Sequence, residues 1–111
     1  MSSTVSTHVL DAVTGSPAAG MAVRLEASKG TGQHFTLLGS GVTDDDGRLR
    51  DFGGEVAPGL HRLVFATGEW QAQRGRDSFY PQVVITFTVA DGHHHVPLLL
   101  SPFAYSTYRG S

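Results

Sequence analysis

Glycine and proline interrupt this chain so often that only short regular elements fit between them. Fourteen glycines and five prolines are spread over 111 residues, and the intervening runs are rich in valine, threonine, leucine and phenylalanine. Such runs have the composition of strands, and short strands separated by frequent turns are typical of a sandwich or barrel. We therefore expect an all-β fold, and the chain length matches that of one domain.

The turn signals divide the chain into eight predicted strands and one short helix. The predicted strands cover residues 5–11, 21–28, 33–43, 48–52, 60–67, 82–89, 94–100 and 105–109. Residues 69–76 have helix-forming composition and are predicted as a helix that ends at Gly75. Gly39 and Gly41 indicate a bulge or a close backbone approach. Residues 30–32 and 44–47 predict turns, and Asp91-Gly92 predicts a hairpin.

Composition argues against several classes of protein. Hydrophobic residues make up 40% and charged residues 16% of the chain, which is more apolar and less charged than a disordered protein. No apolar run approaches the roughly 18 residues of a membrane-spanning helix. The chain has no cysteine, so it has neither disulfides nor a thiol nucleophile. A net charge of −2 without a basic cluster predicts no nucleic-acid partner. With no signal-peptide pattern at the start, we expect a cytoplasmic protein.

Alternation along the first and seventh predicted strands places histidines on outward faces. Val5 and Val9 are predicted to point into the sandwich, so His8 points out of it. In the seventh strand alternate apolar residues are predicted to face the core, so His93 and His95 project the other way. Leucines at 10 and 99 share these outward faces. We therefore expect a second subunit to cover this surface.

Three consecutive histidines raise the question of a metal site. Neighbouring residues on a strand point to opposite faces, so His93, His94 and His95 cannot all reach one ion. His93 and His95 could form a pair with His8 as a third ligand, but no carboxylate lies nearby in the sequence to complete the site. We interpret His93 and His94 as the polar end of a turn and predict no metal.

The sequence contains no signal for a covalent nucleophile. It has no Gly-x-Ser-x-Gly motif, and its glycine-rich stretches are not followed by the lysine of a phosphate-binding loop. The remaining chemistry is attack by water, assisted by a histidine as acid or base. Residues 105–111 are rich in hydroxyl and aromatic side chains, which predicts a docked tail. It is either a plain edge strand or a segment whose tyrosine, arginine and terminal carboxylate line a pocket.

Segments spread along the whole chain form a specific pattern. They read Ser-Thr-His-Val-Leu-Asp at 6–11, Thr-Gly-x-Pro-Ala at 14–18, Thr-Asp-x-Asp-Gly-Arg at 43–48, Ser-Phe-Tyr-Pro at 78–81, His-Val-Pro-Leu-Leu-Leu-Ser-Pro at 95–102 and Tyr-Ser-Thr-Tyr-Arg-Gly-Ser at 105–111. Together they resemble the 5-hydroxyisourate hydrolases, the enzymatic branch of the transthyretin-related proteins. The final Tyr-Arg-Gly-Ser is the most specific segment, because the hormone-carrying transthyretins lack it.

This resemblance implies a fold, an assembly and a reaction. The implied fold is a transthyretin-like eight-stranded β-sandwich with one short helix, formed by residues 1–111 as a single domain. The implied assembly is a homotetramer, a dimer of dimers, with active sites in the channel between the dimers. The implied substrate is a small molecule, 5-hydroxyisourate from urate catabolism. It is hydrolysed to 2-oxo-4-hydroxy-4-carboxy-5-ureidoimidazoline without a cofactor.

The resemblance also implies a set of active-site residues. It assigns catalytic roles to His8, Arg48, His95 and Ser111, and substrate contacts to His8, Arg48 and Tyr108. One neutral imidazole would take a proton from water while Arg48 stabilises the developing anion. Tyr108 would hold the edge of the substrate ring, and either histidine remains a candidate for the base. His94 stands where many members have tyrosine.

The remaining chemistry-bearing residues receive ordinary structural interpretations. His34, His61 and Arg50 are taken as residues without a catalytic role, and Trp70 on the predicted helix is taken as a packing or interface residue. The alternative function is a transthyretin-like carrier that binds a small aromatic ligand without turning it over. Such a carrier predicts an apolar channel that lacks paired imidazoles and an arginine.

Overall fold

Short strands dominate the chain, as the spacing of its glycines and prolines predicts. The computed structural model describes residues 3–30, 32–50 and 52–111. Within these residues the elements are β1 (Ser3–Asp11), β2 (Ser16–Pro17), β3 (Ala22–Ser28), β4 (Phe35–Val42), β5 (Arg48–Leu49), β6 (Gly59–Phe65), α1 (Thr67–Gln73), β7 (Val83–Val89), β8 (Gly92–Ser101) and β9 (Ala104–Thr107). The predicted all-β class with a short helix is confirmed. The predicted turn at 30–32 and strand at 48–52 include Thr31 and Asp51, which lie outside the described residues.

The described strands form two sheets. The first sheet has the order β2-β1-β8-β9, with β5 also paired to β1, and the second has the order β4-β3-β6-β7. β1 and β8 run parallel, whereas the other paired strands of the first sheet are antiparallel. The chain therefore brings its first and eighth strands side by side, although most of the sequence separates them.

The core lies between the two sheets and is built from alternate side chains of their strands. Val5, Val9 and Leu98 are 0% exposed, so the predicted inward faces of β1 and β8 are confirmed. The other fully buried apolar side chains include Met21, Val23, Leu25, Leu63, Phe65, Val83, Val89 and Leu100. The opposite face of the first sheet is left free to carry polar chemistry.

A tight reversal after β1 creates a short strand that the sequence interpretation missed. The side chain of Asp11 accepts hydrogen bonds from the backbone N–H of Val13 at 3.1 Å and from the Thr14 hydroxyl at 2.9 Å. The chain therefore turns back closely enough for Ser16 to pair with Asp11. β2 raises the number of strands in the described residues above the eight predicted.

Close contacts explain two glycines of β4. The pairing of β3 with β4 shifts register between Leu25 and Glu26, which confirms the predicted bulge. A Cβ at Gly39 would lie 2.8 Å from the backbone nitrogen of Gly53. A Cβ at Gly41 would lie 2.8 Å from the side chain of Leu49. Both of the predicted reasons for glycine, a bulge and a close approach, are confirmed here.

The helix begins earlier and ends earlier than predicted, covering Thr67–Gln73 rather than 69–76. The Thr67 hydroxyl donates to the carbonyl of Tyr80 at 2.7 Å, and the Gly68 N–H donates to that of Pro81 at 2.9 Å. These tertiary bonds hold the first turn. Gly75, at φ 69°, reverses the chain after the last turn. Within the described residues no helix has the length and apolar character needed to span a membrane.

Trp70 anchors α1 in the core. Its side chain is 2% exposed, and its ring N–H donates to the carbonyl of Ala19 at 2.7 Å. The guanidinium of Arg74 stacks over the indole with 3.7 Å between its central carbon and the ring centroid. The packing interpretation of Trp70 is thus confirmed.

The Asp91-Gly92 turn connects the two sheets and does not form the predicted hairpin. β7 belongs to the second sheet and β8 to the first, so the chain crosses the sandwich at this point. His94 stabilises the crossing: its Nε2 accepts the backbone N–H of Ala90 at 3.1 Å, and its Nδ1 bonds the carbonyl of Gly92 at 3.1 Å. Because Nε2 accepts, the neutral ring carries its proton on Nδ1.

A buried ion pair ties the segment after α1 to the end of β1. The two terminal nitrogens of Arg76 donate to the two carboxylate oxygens of Asp11 at 3.0 Å each, and the Asp11 side chain is 5% exposed. Burial by itself would raise the pKa of Asp11. The hydrogen bonds from Arg76, from the Thr14 hydroxyl and from the Val13 N–H outweigh it and hold this pKa below 3.8.

Replacing Arg76 tests this pair. Arg76→Gln should lower the free energy of unfolding by about 3 kcal/mol, because the Asp11 carboxylate stays buried without its counter-charge. The folded-state pKa of Asp11 lies below its unfolded value, so the contribution is full above the unfolded pKa. It disappears as pH falls through the folded pKa. Urea unfolding at a fixed protein concentration measures it, and exposed Lys29→Gln is the charge-matched control. Equal stability of the two variants at neutral pH would contradict the prediction.

Candidate active site

The turn between β4 and β5 brings Arg48 against β1. Oδ1 of Asp44 accepts the backbone N–H groups of Asp46 and Arg48, both at 2.9 Å. Gly47 has φ 74°, and a Cβ at this position would lie 2.5 Å from the carbonyl oxygen of Val9. The predicted turn is confirmed, and only glycine lets it approach β1 this closely.

β5 then pairs with β1 so that Arg48 lies opposite His8 in the ladder. His8 is half-buried on the outward side of the first sheet, as the alternation of β1 predicts. The pairing places a permanent guanidinium charge next to the outward face that carries the histidines.

The parallel pairing of β1 with β8 brings two more histidines onto this face. Ser6 lies opposite His95, and Thr4 lies opposite His93. The Ser6 hydroxyl is 2.8 Å from Nδ1 of His95 and 2.8 Å from Nε2 of His93. The Thr4 hydroxyl is 2.7 Å from Nδ1 of His93. Two side chains near the start of the chain and two near its end thus form one hydrogen-bonded row.

The end of the chain folds back over His95. β9 pairs with β8 and ends at Thr107, two residues before the end of the predicted strand. Beyond it the N–H of Gly110 donates to the carbonyl of His95 at 2.8 Å. A Cβ at Gly110 would overlap the His95 ring, so glycine lets the tail lie directly on the imidazole. The predicted docking of the tail is confirmed.

These elements enclose a cavity of about 400 Å³, here called the histidine cavity. Its lining residues are Ser6, Thr7, Arg48, Arg50, His93, His95 and Ser111. Most of these side chains are polar or basic, so the cavity suits a small molecule that presents carbonyl oxygens or negative charge. Arg48 offers the planar fork of N–H donors that matches such oxygens.

The surroundings of His95 in the histidine cavity lower its pKa. Burial lowers the pKa of His95 below its ordinary value of 6.5, and electrostatic repulsion between its charged form and the His8, His93 and Arg48 side chains lowers it further. The imidazole of His95 is therefore neutral at neutral pH. Its Nδ1 is occupied by Ser6, and its Nε2 has no hydrogen-bond partner among the described residues. A neutral ring with one uncommitted nitrogen is the form that a general base requires.

The structure gathers some of the predicted site residues and separates others. Arg48, His95 and Ser111 line the histidine cavity, while His8 flanks it beside Arg48. Tyr108 lies elsewhere. It is 60% exposed and faces a neighbouring apolar cavity of about 360 Å³, which shares the residue His95. Among the described residues no group of three or more histidine, aspartate or glutamate side chains is placed to hold a metal ion.

Ser6, Arg50 and His93 also line the histidine cavity, although the sequence interpretation gave them no role there. Alternation on β1 puts Ser6 on the same face as His8, and alternation on β8 puts His93 on that of His95. Alternation could therefore have predicted the face on which Ser6 and His93 lie. It could not have predicted that the two residues meet, because nothing in the local sequence specifies the parallel register of the two strands.

The chain belongs to the HIUase/Transthyretin family, whose profile matches residues 5–110. A 5-hydroxyisourate hydrolase of Salmonella typhi is 44% identical over 99% of this chain and 82% of its own length. One of Mus musculus is 41% identical over 99% of this chain and 97% of its own length. The resemblance seen in the sequence motifs is confirmed, and the chain is a hydrolase of this family.

Solved structures of the family have the same fold. A 5-hydroxyisourate hydrolase of Klebsiella pneumoniae superposes with a TM-score of 0.87 at 37% identity, over 98% of this chain and 99% of its own. A sea bream transthyretin in complex with thyroxine superposes with a TM-score of 0.86 at 28% identity, over 96% and 93% of the two chains. The predicted transthyretin-like sandwich is confirmed.

The contact of Gly110 with His95 can be tested by adding one methyl group. Gly110→Ala should displace the tail, because the new Cβ overlaps a ring that Ser6 holds in place. Hydrogen exchange of the amide at position 110 should become about tenfold faster, the effect of losing one hydrogen bond. Exchange in β6 should stay unchanged. Ser106→Ala, a change on the exposed part of β9, is the control. Unaltered exchange at position 110 would contradict the close packing.

Proposed function

We propose that this chain hydrolyses 5-hydroxyisourate to 2-oxo-4-hydroxy-4-carboxy-5-ureidoimidazoline, as a step of urate breakdown. The names of its relatives support the substrate. The observation that carries the proposal is the placement of His95, whose Nδ1 is 2.8 Å from the Ser6 hydroxyl. It lies in a cavity that also holds Arg48. A base beside an anion-stabilising group is the minimum apparatus for attack by water on a carbonyl.

In this mechanism His95 is the general base. Nε2 of His95 takes a proton from water while the water oxygen bonds to a ring carbonyl carbon of the substrate. The lowered pKa of His95 keeps the acceptor form populated at neutral pH. A positioned base of this kind contributes about 10²–10⁴-fold to the rate.

Arg48 stabilises the charge that this attack creates. The carbonyl oxygen becomes an oxyanion, and the guanidinium of Arg48 donates hydrogen bonds to it without being able to lose its own proton. Collapse of the oxyanion breaks the ring carbon–nitrogen bond. The leaving nitrogen receives the proton that His95 took from water, so that one water is consumed and the catalyst is regenerated.

The other predicted residues receive supporting roles in this proposal. His8, which lies opposite Arg48 in the ladder, would orient the guanidinium from the flank of the cavity. Ser111 closes the cavity next to His95 and contacts the bound ring. Tyr108 contacts substrate only where the histidine cavity and the apolar cavity meet at His95.

The same proposal includes assembly as a homotetramer, a dimer of dimers. Leu10 and Leu99 lie side by side on the outward face of the first sheet and remain half-buried in the single chain. A second copy that covers this face would bury both leucines and enclose the histidine cavity from its open side. Enclosure of this kind strengthens the electrostatic interactions of Arg48 with substrate.

The carrier function is the alternative, and the apolar cavity is the observation that favours it. That cavity lies beside Tyr108, and its lining is mostly apolar. A carrier would leave the spontaneous decay of 5-hydroxyisourate unchanged, whereas a hydrolase accelerates it. The basic lining of the histidine cavity supports the hydrolase, because a carrier of an apolar ligand has no use for it.

Removing the base or the arginine tests the mechanism directly. With freshly made 5-hydroxyisourate followed by ultraviolet absorbance, His95→Ala should lower kcat by about 10²–10⁴-fold. Arg48→Ala should lower it by about 10²–10³-fold, because the developing oxyanion loses its donor.

Two matched controls lie outside the candidate site. His34→Ala and Arg24→Ala remove the same side chains from exposed positions in or near the second sheet and should keep wild-type turnover. Light scattering should give all four variants the mass of four chains. Near wild-type kcat in both His95→Ala and Arg48→Ala would overturn the mechanism.

The pH profile offers a second test of His95. Since the pKa of His95 lies below 6.5, the neutral base should persist in mildly acidic solution. The acid limb of kcat/KM, which reports the free enzyme, should therefore have its midpoint below 6.5. The measurement is kcat/KM against pH after subtraction of the spontaneous decay. A midpoint above the ordinary histidine value would contradict the assignment.

A further inference from the structure

A continuous row of hydrogen bonds extends from His95 to the edge of the first sheet. Its members are Thr4, His93, Ser6 and His95, joined by contacts of 2.7 to 2.8 Å. The parallel register fixes the row, because Thr4 faces His93 and Ser6 faces His95 on one side of the sheet. His93 thus reaches His95 through a single hydroxyl.

That hydroxyl couples the proton positions of the two rings. Ser6 has one hydroxyl proton, so it can donate to only one of its two imidazole neighbours and must accept from the other. If it donates to Nε2 of His93, it accepts from Nδ1 of His95. In that arrangement Nδ1 of His95 holds the ring proton and Nε2 is free to act as the base.

We propose that His93 is a positioning residue that acts through Ser6, fixing the base form of His95 and accepting the positive charge when His95 takes a proton. The inference rests on the proposed hydrolase function and deepens it. His93 itself lies one hydroxyl away from the reacting atoms, so its effect on substrate is exerted through His95.

The proton movements balance without any additional reactant. When Nε2 of His95 takes a proton from water, Nδ1 of His95 passes its own proton to the Ser6 oxygen. The Ser6 hydroxyl proton moves to Nε2 of His93, which becomes an imidazolium. When the leaving nitrogen of the substrate takes the proton from Nε2 of His95, the shifts reverse and both rings return to neutral.

The surroundings favour this displacement of charge. His95 is half-buried, and its charged form is repelled by the neighbouring His8 and Arg48 side chains. Arg50 also lines the same cavity. His93 is exposed near the start of β8, where water stabilises a cation better than at the half-buried position of His95. Moving the charge from His95 to His93 therefore lowers its electrostatic energy.

The buried hydroxyl of Ser6 needs hydrogen-bond partners, and the two imidazoles supply them. Ser6 is 5% exposed, and its hydroxyl satisfies both rings. The Thr4 hydroxyl at Nδ1 of His93 fixes the orientation of that ring, as outer partners commonly do for functional histidines. The row is thus complete from the cavity to solvent.

Kinetics of two variants test the relay. His93→Gln keeps a polar side chain that cannot hold the extra proton, and Ser6→Ala removes the connecting hydroxyl. Each should lower kcat by about 10- to 100-fold and change KM much less, because the proposed substrate contacts of Arg48 and Ser111 stay in place. Ser6→Thr restores the hydroxyl and should recover most of kcat. His34→Gln, the same change at an exposed position, is the matched control.

The pH profile separates a relay from a purely structural role. In the relay His93 is neutral at rest and stores the proton that the row takes up. His93→Gln removes this acceptor and makes the row harder to protonate, so the acid limb of kcat/KM should move to lower pH. A structural role would instead lower the melting temperature or raise KM. Wild-type kcat in both His93→Gln and Ser6→Ala, or an unmoved acid limb in His93→Gln, would overturn the proposal.

A spectroscopic measurement keeps this inference separate from the hydrolase proposal. Long-range proton–nitrogen spectra of the imidazoles should show neutral His95 with its proton on Nδ1, and Ser6→Ala should abolish that preference. A proton on Nε2 in the wild type, or the same spectrum in Ser6→Ala, would overturn the relay. Failure of the wild type to accelerate 5-hydroxyisourate decay would instead overturn the hydrolase proposal, while the spectra would still test the coupling.

Discussion

The parallel ladder between β1 and β8 is the constraint on which the rest of this structure depends. It sets both faces of the first sheet at once, because side chains that lie opposite each other in the register share a face. Toward the core it aligns Val9 with Leu98, both fully buried. On the outward side it aligns Ser6 with His95, the pair from which the candidate site is built. A shift of one residue would exchange the two faces and lose core and site together.

Two glycines then determine how closely the neighbouring segments approach this ladder. Gly47 lets the turn before Arg48 press against the backbone of Val9, and Gly110 lets the tail lie on the ring of His95. Both approaches leave no room for a Cβ, so the backbone that carries Arg48 and the backbone of the tail are held close to the ladder. A backbone fixed in this way limits the rearrangement that the site needs during a reaction, which favours electrostatic stabilisation of a transition state.

Sequence patterns predicted the elements well where a local cause exists. Alternation predicted the buried faces of β1 and β8, and the Asp-rich turn before Gly47 formed as expected. Predictions failed where distant contacts decide. The helix begins at Thr67 because Tyr80 and Pro81 accept its first hydrogen bonds. Asp91-Gly92 has the composition of a hairpin turn, yet the strands on its two sides enter different sheets.

By itself, the sequence determined the all-β class, the inward and outward faces of the strands, the family, and the candidate residues Arg48, His95 and Ser111. The class and the faces follow from local alternation and turn chemistry, whereas the family and the candidate residues follow from the resemblance carried by motifs spread along the chain. Only the tertiary structure decided that Ser6 joins His93 to His95 and that Tyr108 faces a different cavity. Those relations depend on the register between strands almost ninety residues apart, which no local pattern encodes because register is selected by the packing of the whole core.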